Sequence, residues 1–166
     1  MRPWSWAWNA ALRTVRGVHR SLVAPDDDWA SSRLSEGELG LYLAMDPRDR
    51  DHAVRVAREL LRRHPAAPDV VVRAALLHDV GKSRRRYRVD ERILVHLVKA
   101  SPPPAEPPRN GIAGARQTAA HHAAYGATMI RDAGGSPRLA ELVARHDRPP
   151  DDDAHARWVH EADRCT

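Results

Sequence analysis

The strongest constraint on the fold is an apolar run that covers residues 70–77. It reads Val-Val-Val-Arg-Ala-Ala-Leu-Leu and is apolar almost all round a helix, which is typical of a central helix buried on every side. Pro65 and Pro68 break the chain before it, Asp69 can cap it, and His78-Asp79-Val80-Gly81-Lys82 follows it. A chain with such a segment needs further helices to pack around it.

The residues that can fill a core also favour helices. The 166 residues include no Phe and only 5% aromatics, although 42% are hydrophobic. Leu, Val and Ala must therefore fill most of the interior, a mixture that favours close-packed helices over a β-sandwich. A chain of this length suits one domain that buries about two-thirds of its unfolded surface. We predict an all-α fold, a compact helical bundle.

Apolar periodicity places helices on both sides of the central run. Asp46 is a suitable N-cap with Pro47 at the first helical position, and apolar residues then recur at helical spacing from Ala53 to Leu60. Ser136-Pro137 begins another helix. Further helices are predicted at about 34–45, 90–100, 121–133 and 153–163. Gly134 and Gly135 are expected to end the helix at 121–133. The stretch from 102 to 114 is rich in Pro and Gly and is predicted to be a flexible connection or lid.

Helical phase separates a few of the ten histidines from the rest. His52 lies one turn before Val56, His78 ends the buried run, and His146 continues the apolar stripe of its helix. Asp163 follows Val159 by one turn. Four helices can therefore aim imidazole or carboxylate groups at one centre.

Asp79 requires a cation nearby. A carboxylate at the C-terminal end of an apolar helix faces the negative end of the helix dipole. We expect Gly81 to end the helix in the left-handed conformation, which would leave Lys82 facing the same cavity. A divalent cation suits this position better than Lys82 alone, because it neutralises both Asp79 and Asp163.

The order of these residues resembles the His…His-Asp…Asp signature of the HD-domain metal-dependent phosphohydrolases. The string LLHDVGK (residues 76–82) is similar to the best-known string of that family, and HHAAYGA (residues 121–127) resembles its later His-x-x-x-Gly-Ala element, with His122 as the aligned histidine. The resemblance spans about Asp51 to Asp163. It predicts an HD domain over residues 46–166, preceded by a Trp-rich helical extension over residues 1–45.

The resemblance implies a hydrolase that acts on a phosphate ester, such as a nucleotide or another small phosphorylated metabolite. It implies that the ligands of a divalent cation (Mn, Fe, Co, Zn or Mg) are His52, His78, Asp79 and Asp163. His122 and His146 would lie nearby and bind phosphate or a second metal. The cation would polarise a phosphoryl oxygen and lower the pKa of bound water. The implied catalytic residues are Asp79, Lys82 and His122, and the implied substrate-binding residues are Lys82, Arg84, Arg116, His122 and His146.

Two other functions remain to be weighed. After His146 the chain reads Asp147-Arg148-Pro149-Pro150, without the second His and the Gly-Tyr-Pro of the related cyclic-dinucleotide phosphodiesterases, so cleavage of cyclic di-GMP is disfavoured. A non-catalytic sensor that binds a metal or nucleotide in the same cavity is the alternative to an enzyme. Turnover of phosphate esters would discriminate between the two.

Charge and cysteine content bear on partners and location. The formal net charge is +5, and almost all basic residues are Arg, since Lys82 and Lys99 are the only lysines. The sequence lacks the basic stripe interleaved with aromatic residues that is typical of single-strand binders, so nucleic-acid binding is not favoured. The basic character fits an anionic substrate. The single cysteine, Cys165, and a Trp-rich start too polar for a spanning helix predict a cytoplasmic protein. Peripheral membrane contact by Trp4, Trp6 and Trp8 is less favoured than packing, and the sequence does not indicate an oligomeric state.

Overall fold

The computed structural model describes residues 23–85, 103–105 and 107–166. Within these ranges the chain forms seven α-helices, one 3₁₀ helix and no strand, which confirms the all-α prediction. The helices are α1 (Asp27–Ser31), α2 (Glu36–Leu43), α3 (Pro47–Arg63), α4 (Asp69–Leu77), the 3₁₀ helix (Val80–Arg84), α5 (Gly111–Asp132), α6 (Pro137–Arg145) and α7 (Ala154–Cys165). The predicted helix at 90–100 and the Trp4–Trp8 segment lie outside the described residues.

Helix α4 is the centre of the bundle, as its composition predicts. Six of its nine residues are buried, and it packs against α2, α3, α6 and α7. Helix α5 packs against α6 and lies along the 3₁₀ helix that directly follows α4. The C-terminal end of α4 therefore meets the middle of α5, and the candidate site lies at this junction.

Side-chain caps fix the starts of four described helices: Asp26 caps α1, and the other three are α3, α6 and α7. The Asp46 carboxylate accepts a hydrogen bond from the backbone N–H of Arg48, and Ser136 and Asp153 accept from residues three positions later. Gly134 takes a φ of +78° after α5, as expected for a glycine that ends a helix. The cap predicted at Asp69 is wrong by one residue, because Pro68 is the N-cap and Asp69 opens the helix.

The prediction of a left-handed Gly81 is wrong. Gly81 belongs to the 3₁₀ helix, and among the described glycines only Gly111 and Gly134 have positive φ. A Cβ at Gly81 would stand 1.9 Å from the carbonyl oxygen of His122 and 2.6 Å from the backbone nitrogen of Gly126. Glycine is required here because two backbones approach closely, and its conformational freedom is not used.

The predicted lid at 102–114 is also partly wrong, because α5 begins at Gly111, well before the expected start near His121. Gly111 enters the helix with a φ of +67°, which only glycine adopts easily. The described residues before the helix are tied to it: Gln117 accepts a hydrogen bond from the backbone of Arg109, and the Tyr125 hydroxyl bonds the backbone of Ala105. This stretch is anchored to α5.

Residues 27–45 pack on the same core as the rest of the bundle. Ala30, Tyr42 and Met45 are buried members of the central apolar cluster. The division between an extension at 1–45 and a domain at 46–166 stays a prediction. Among the described residues, no helix combines the length and the apolar character needed to cross a bilayer.

Candidate metal centre

Three histidine rings are oriented by the helices that carry them. Nδ1 of His78, His122 and His146 lies 2.8, 2.8 and 2.7 Å from the carbonyl oxygen three residues earlier in its own chain segment. A carbonyl oxygen can only accept a hydrogen bond, so Nδ1 carries the proton and the Nε2 lone pair of each ring is left to face the junction. This is the arrangement in which protein histidines bind metals.

The first group of ligand atoms comes from His52, His78 and Asp163, and all three atoms lie within 4.8 Å of one another. His52 on α3 has its Nε2 2.8 Å from Oδ1 of Asp163 on α7, and His78 Nε2 lies 3.7 Å from the same oxygen. Among the described residues, His78 Nε2 has no hydrogen-bond partner although the residue is buried. A buried lone pair of this kind lacks the partner that such groups normally have, and a cation would supply one.

The second group comes from Asp79, His122 and His146, again within 4.8 Å of one another. Nε2 of His122 on α5 and Nε2 of His146 at the end of α6 are 3.3 Å apart. Because both rings carry their proton on Nδ1, two lone pairs face each other at this distance. A proton or a cation must lie between them for the arrangement to be stable.

Asp79 lies between the two groups. Its Oδ2 is 3.5 Å from His78 Nε2, and its Oδ1 is 3.4 Å from His122 Nε2. The Lys82 ammonium also lies 2.5 Å from Oδ2. Of the four residues predicted to hold one ion, His52, His78 and Asp163 fall in the first group. Asp79 falls in the second group, with its other oxygen next to His78 of the first.

The charges of the centre shift several pKa values. Burial alone would lower the pKa of His78 and raise that of Asp79, but the two groups attract each other, so the pKa of His78 rises and that of Asp79 falls well below its usual value. Burial likewise opposes the effect of Asp79 on Lys82, and the pKa of Lys82 is raised. For His146, burial and the nearby His78 lower the pKa to about 4.

Exposure divides the centre into a floor and a rim. The side chains of His78, Asp79, His122 and His146 are between 1% and 8% exposed. Those of His52, Asp163 and Lys82 are between 26% and 34% exposed. His52, Asp163 and Lys82 therefore form the part of the centre that solvent reaches.

Apart from Lys82, the predicted substrate-binding residues Arg84 and Arg116 belong to neither group. Arg84 ends the 3₁₀ helix on the surface, and Arg116 lies on α5 more than one turn before His122, with a partly buried side chain. His160 lies three residues before Asp163 on α7, and its Nδ1 donates to the carbonyl oxygen of His146. It therefore steadies the end of α6.

Sequence reasoning missed Asp147 as a site residue. Its carboxylate lies 3.5 Å from Nε2 of His122 and 3.3 Å from Nε2 of His146. Asp147 follows the apolar stripe of α6 and is itself exposed, so periodicity does not indicate it. Its position directly after His146 is the only signal in the sequence.

The donor set fits a divalent transition metal. Mixed imidazole and carboxylate ligands suit Mn, Fe, Co or Zn, whereas Mg prefers oxygen ligands alone. The buried Nε2 of His78 and the facing rings of His122 and His146 are the observations that require positive charge here.

Comparison with known proteins gives one match. The family model for the HD domain matches residues 50–166, which is more than two-thirds of the chain and includes every residue of both groups. Neither the curated proteins nor the solved structures gave a match.

Proposed function

Because the chain belongs to the HD-domain family, a superfamily of metal-dependent hydrolases, we propose that it hydrolyses a phosphate ester with the help of divalent cations. We propose a nucleotide or another small phosphorylated metabolite as the substrate, and the cytoplasm as its location. Nucleic acid is not proposed as a partner.

The observation that carries the proposal is the pair of facing imidazoles on α5 and α6. Two Nε2 atoms 3.3 Å apart, each with its Nδ1 hydrogen-bonded to a backbone carbonyl, repel unless positive charge lies between them. Packing alone offers no reason to bury two ring nitrogens in this way, since an apolar residue of similar size would fill the space without the repulsion. A metal-binding role explains the arrangement.

The residues present would hold two cations. His52, His78 and Asp163 would bind one, and His122 and His146 would bind the other, with one oxygen of Asp79 turned to each group. When bound, divalent cations polarise the phosphoryl group and favour formation of a nucleophile from water near neutral pH.

Side chains at the rim would bind and orient the substrate. Lys82 is anchored by Asp79 and partly exposed, so its ammonium can neutralise charge on a phosphate that enters across the rim. The floor residues are almost fully buried, and charge interactions in such surroundings are stronger than in water. Binding of phosphate by Arg84 and Arg116 stays part of the proposal, since guanidinium groups match phosphate oxygens in bidentate geometry.

The test combines metal analysis with a substrate panel. The full chain, stripped of metal and reloaded separately with Mn²⁺, Fe²⁺, Co²⁺, Zn²⁺ or Mg²⁺, is assayed on nucleoside phosphates, sugar phosphates and p-nitrophenyl phosphate. We expect turnover with at least one metal. Asp79→Asn should lose turnover by more than about 100-fold and lose bound metal, since it removes the charge shared by both groups.

A matched control is Asp69→Asn, which makes the same chemical change at the opposite, exposed end of α4. It should keep both metal and turnover. If Asp79→Asn keeps wild-type turnover, the proposed chemistry is wrong. If the loaded wild type binds these phosphate esters and hydrolyses none of them, the non-catalytic sensor becomes the better description.

A further inference from the structure

The centre has two halves, and each contains two imidazoles and faces one oxygen of Asp79. The first half consists of two imidazoles, His52 and His78, and one carboxylate on its outer side, Asp163. The second half has two imidazoles, His122 and His146, and shares the carboxylate of Asp79 with the first. A carboxylate on its outer side would complete the correspondence.

Asp147 occupies this outer position. Its Oδ2 lies 3.5 Å from His122 Nε2 and its Oδ1 lies 3.3 Å from His146 Nε2, so each oxygen faces one ring of the pair. In the first half, a single oxygen of Asp163, Oδ1, lies 2.8 Å from His52 Nε2 and 3.7 Å from His78 Nε2. The ring nitrogens that Asp147 faces are the ones that carry lone pairs, because the opposite nitrogens are bonded to backbone carbonyls.

Charge supports the same assignment. Without Asp147 the second half would hold a divalent cation with two neutral imidazoles and a share of Asp79, whose other oxygen faces His78 and Lys82. With Asp147 each half has one carboxylate of its own, Asp163 in the first and Asp147 in the second, and both halves share the carboxylate of Asp79. Adding a carboxylate raises the affinity of a site for a divalent cation through direct charge neutralisation.

The surroundings of Asp147 leave it open to solvent. Its side chain is 46% exposed, and it lines a groove of about 470 Å³ between α5 and α6, together with Ala120, Ala124, Ala144 and Arg148. His122 and His146, whose Nε2 atoms it faces, are almost completely buried. Asp147 is therefore an exposed carboxylate beside two buried rings.

From these contacts we infer that Asp147 is a ligand of a second divalent cation, bound with His122, His146 and Asp79. The inference rests on the proposed function only in that both require a metal centre. It adds a residue that neither the helical pattern nor the resemblance of the sequence indicates, and it makes the second half equal to the first in donor number and charge.

The experiment measures metal binding directly and does not depend on turnover. Equilibrium dialysis of the full chain against increasing Mn²⁺, followed by elemental analysis, gives the stoichiometry and the affinity of each site, and electron paramagnetic resonance detects coupling between two neighbouring Mn²⁺ ions. We expect two Mn²⁺ per chain and a coupled signal in the wild type. Asp147→Asn and Asp147→Ala should bind the second Mn²⁺ more weakly by more than about tenfold, the loss that follows even from removing an outer partner of a ligand, and should lose the coupled signal at the same Mn²⁺ concentration.

The matched control is Asp152→Asn, the same charge change at an exposed position five residues further along the same connection. It should leave both Mn²⁺ sites unchanged, whereas a general effect of net charge would weaken them in all three variants. Wild-type Mn²⁺ binding by both Asp147 variants would overturn the inference, and so would a wild type that binds only one Mn²⁺. A wild type that binds two Mn²⁺ ions, loses one on substitution of Asp147, and hydrolyses no phosphate ester would support the inference and refute the proposed function.

Discussion

Replacing Gly81 by alanine tests how closely the 3₁₀ helix must lie against α5. The added Cβ would meet the carbonyl oxygen of His122 at 1.9 Å and the nitrogen of Gly126 at 2.6 Å. Both atoms belong to the backbone, so neither can rotate away as the end of a side chain could. Ordinary contacts lie near 3.5 Å, so the two segments must separate by roughly 1.5 Å.

The cost of that separation can be stated as a free energy of unfolding. Overpacking costs about 1–3 kcal/mol, and a clash between two backbones belongs at the upper end of this range. For a domain of this size each 1 kcal/mol lowers Tm by roughly 2–4 °C, so we expect Gly81→Ala to melt about 6–12 °C below the wild type. The same displacement would move Asp79 and Lys82 away from His122 and weaken metal binding.

Thermal melts in the presence of a chelator measure the packing effect alone, because metal then contributes nothing to stability. Gly40→Ala is the matched control: Gly40 is an exposed glycine within α2, and an added Cβ there meets nothing within 4 Å. Alanine favours a helix over glycine by about 1 kcal/mol, so this variant should melt slightly above the wild type. If Gly81→Ala melts with the wild type while Gly40→Ala gains stability, the close approach of the two segments is wrong.

Three further changes test other parts of the molecule. Hydrogen bonds from Arg138 lower the pKa of Asp153 to about 2, below its value in the unfolded chain, so the stabilisation is complete above about pH 4 and is lost as the pH falls towards 2. Urea unfolding of the wild type and of Asp153→Asn, whose amide still caps α7, should differ by about 1–2 kcal/mol at pH 5 and converge near pH 2; a difference independent of pH would contradict the assignment. Glu38 is buried and accepts a hydrogen bond from Arg73 at 2.9 Å. Glu38→Gln should therefore lower the free energy of unfolding by about 2–4 kcal/mol, measured by urea unfolding. An unchanged midpoint would show that the ion pair contributes no net stability. Removal of metal by a chelator should lower Tm by roughly 5–10 °C, since a ligand present at about 100 times its Kd stabilises the folded state by about 2.7 kcal/mol, and an unchanged Tm would mean that metal does not bind the folded chain.

The helices that the sequence predicts best are those with both a cap and an apolar stripe. Asp46 and Pro47 fix the start of α3, Ser136 and Pro137 fix the start of α6, and Gly134 ends α5 in the left-handed conformation. In each case the deciding interaction lies within four residues along the chain. Local patterns are sufficient for such features.

The failures at Gly81 and at the start of α5 involve close backbone contacts that the rules for helix ends do not predict. Gly81 is determined by the backbone of α5, about forty residues further along, and no local rule distinguishes this from a helix-ending glycine. The first turns of α5 hold Gly111 and Gly114, which resemble a loop in sequence, yet a Cβ on Gly114 would collide with the backbone of Arg109 as the incoming chain passes over the helix. Propensity favoured a loop, and tertiary packing produced a helix.

The candidate site shows the same division. Helical phase brought His52, His78 and Asp163 together in prediction because each lies on a stripe whose buried side faces the core. The separation into two groups with Asp79 between them depends on side-chain orientation at the end of α4, which periodicity does not specify. Asp147 belongs to no stripe, and apart from its place next to His146 only the three-dimensional arrangement reveals it.

The bonds from His78, His122 and His146 to their own helices have a consequence for how the centre responds to its environment. None of the three rings can turn over to present its other nitrogen without breaking its hydrogen bond to the backbone. The binding site is therefore rigid, and the conformational entropy of these side chains is already lost when the protein folds, before a cation binds. Uptake should therefore be limited by dehydration of the ion and not by rearrangement of the protein. Any shift of α4, α5 or α6 is transmitted directly to a donor atom, so substitutions deep in the apolar core should change metal affinity without touching a single ligand.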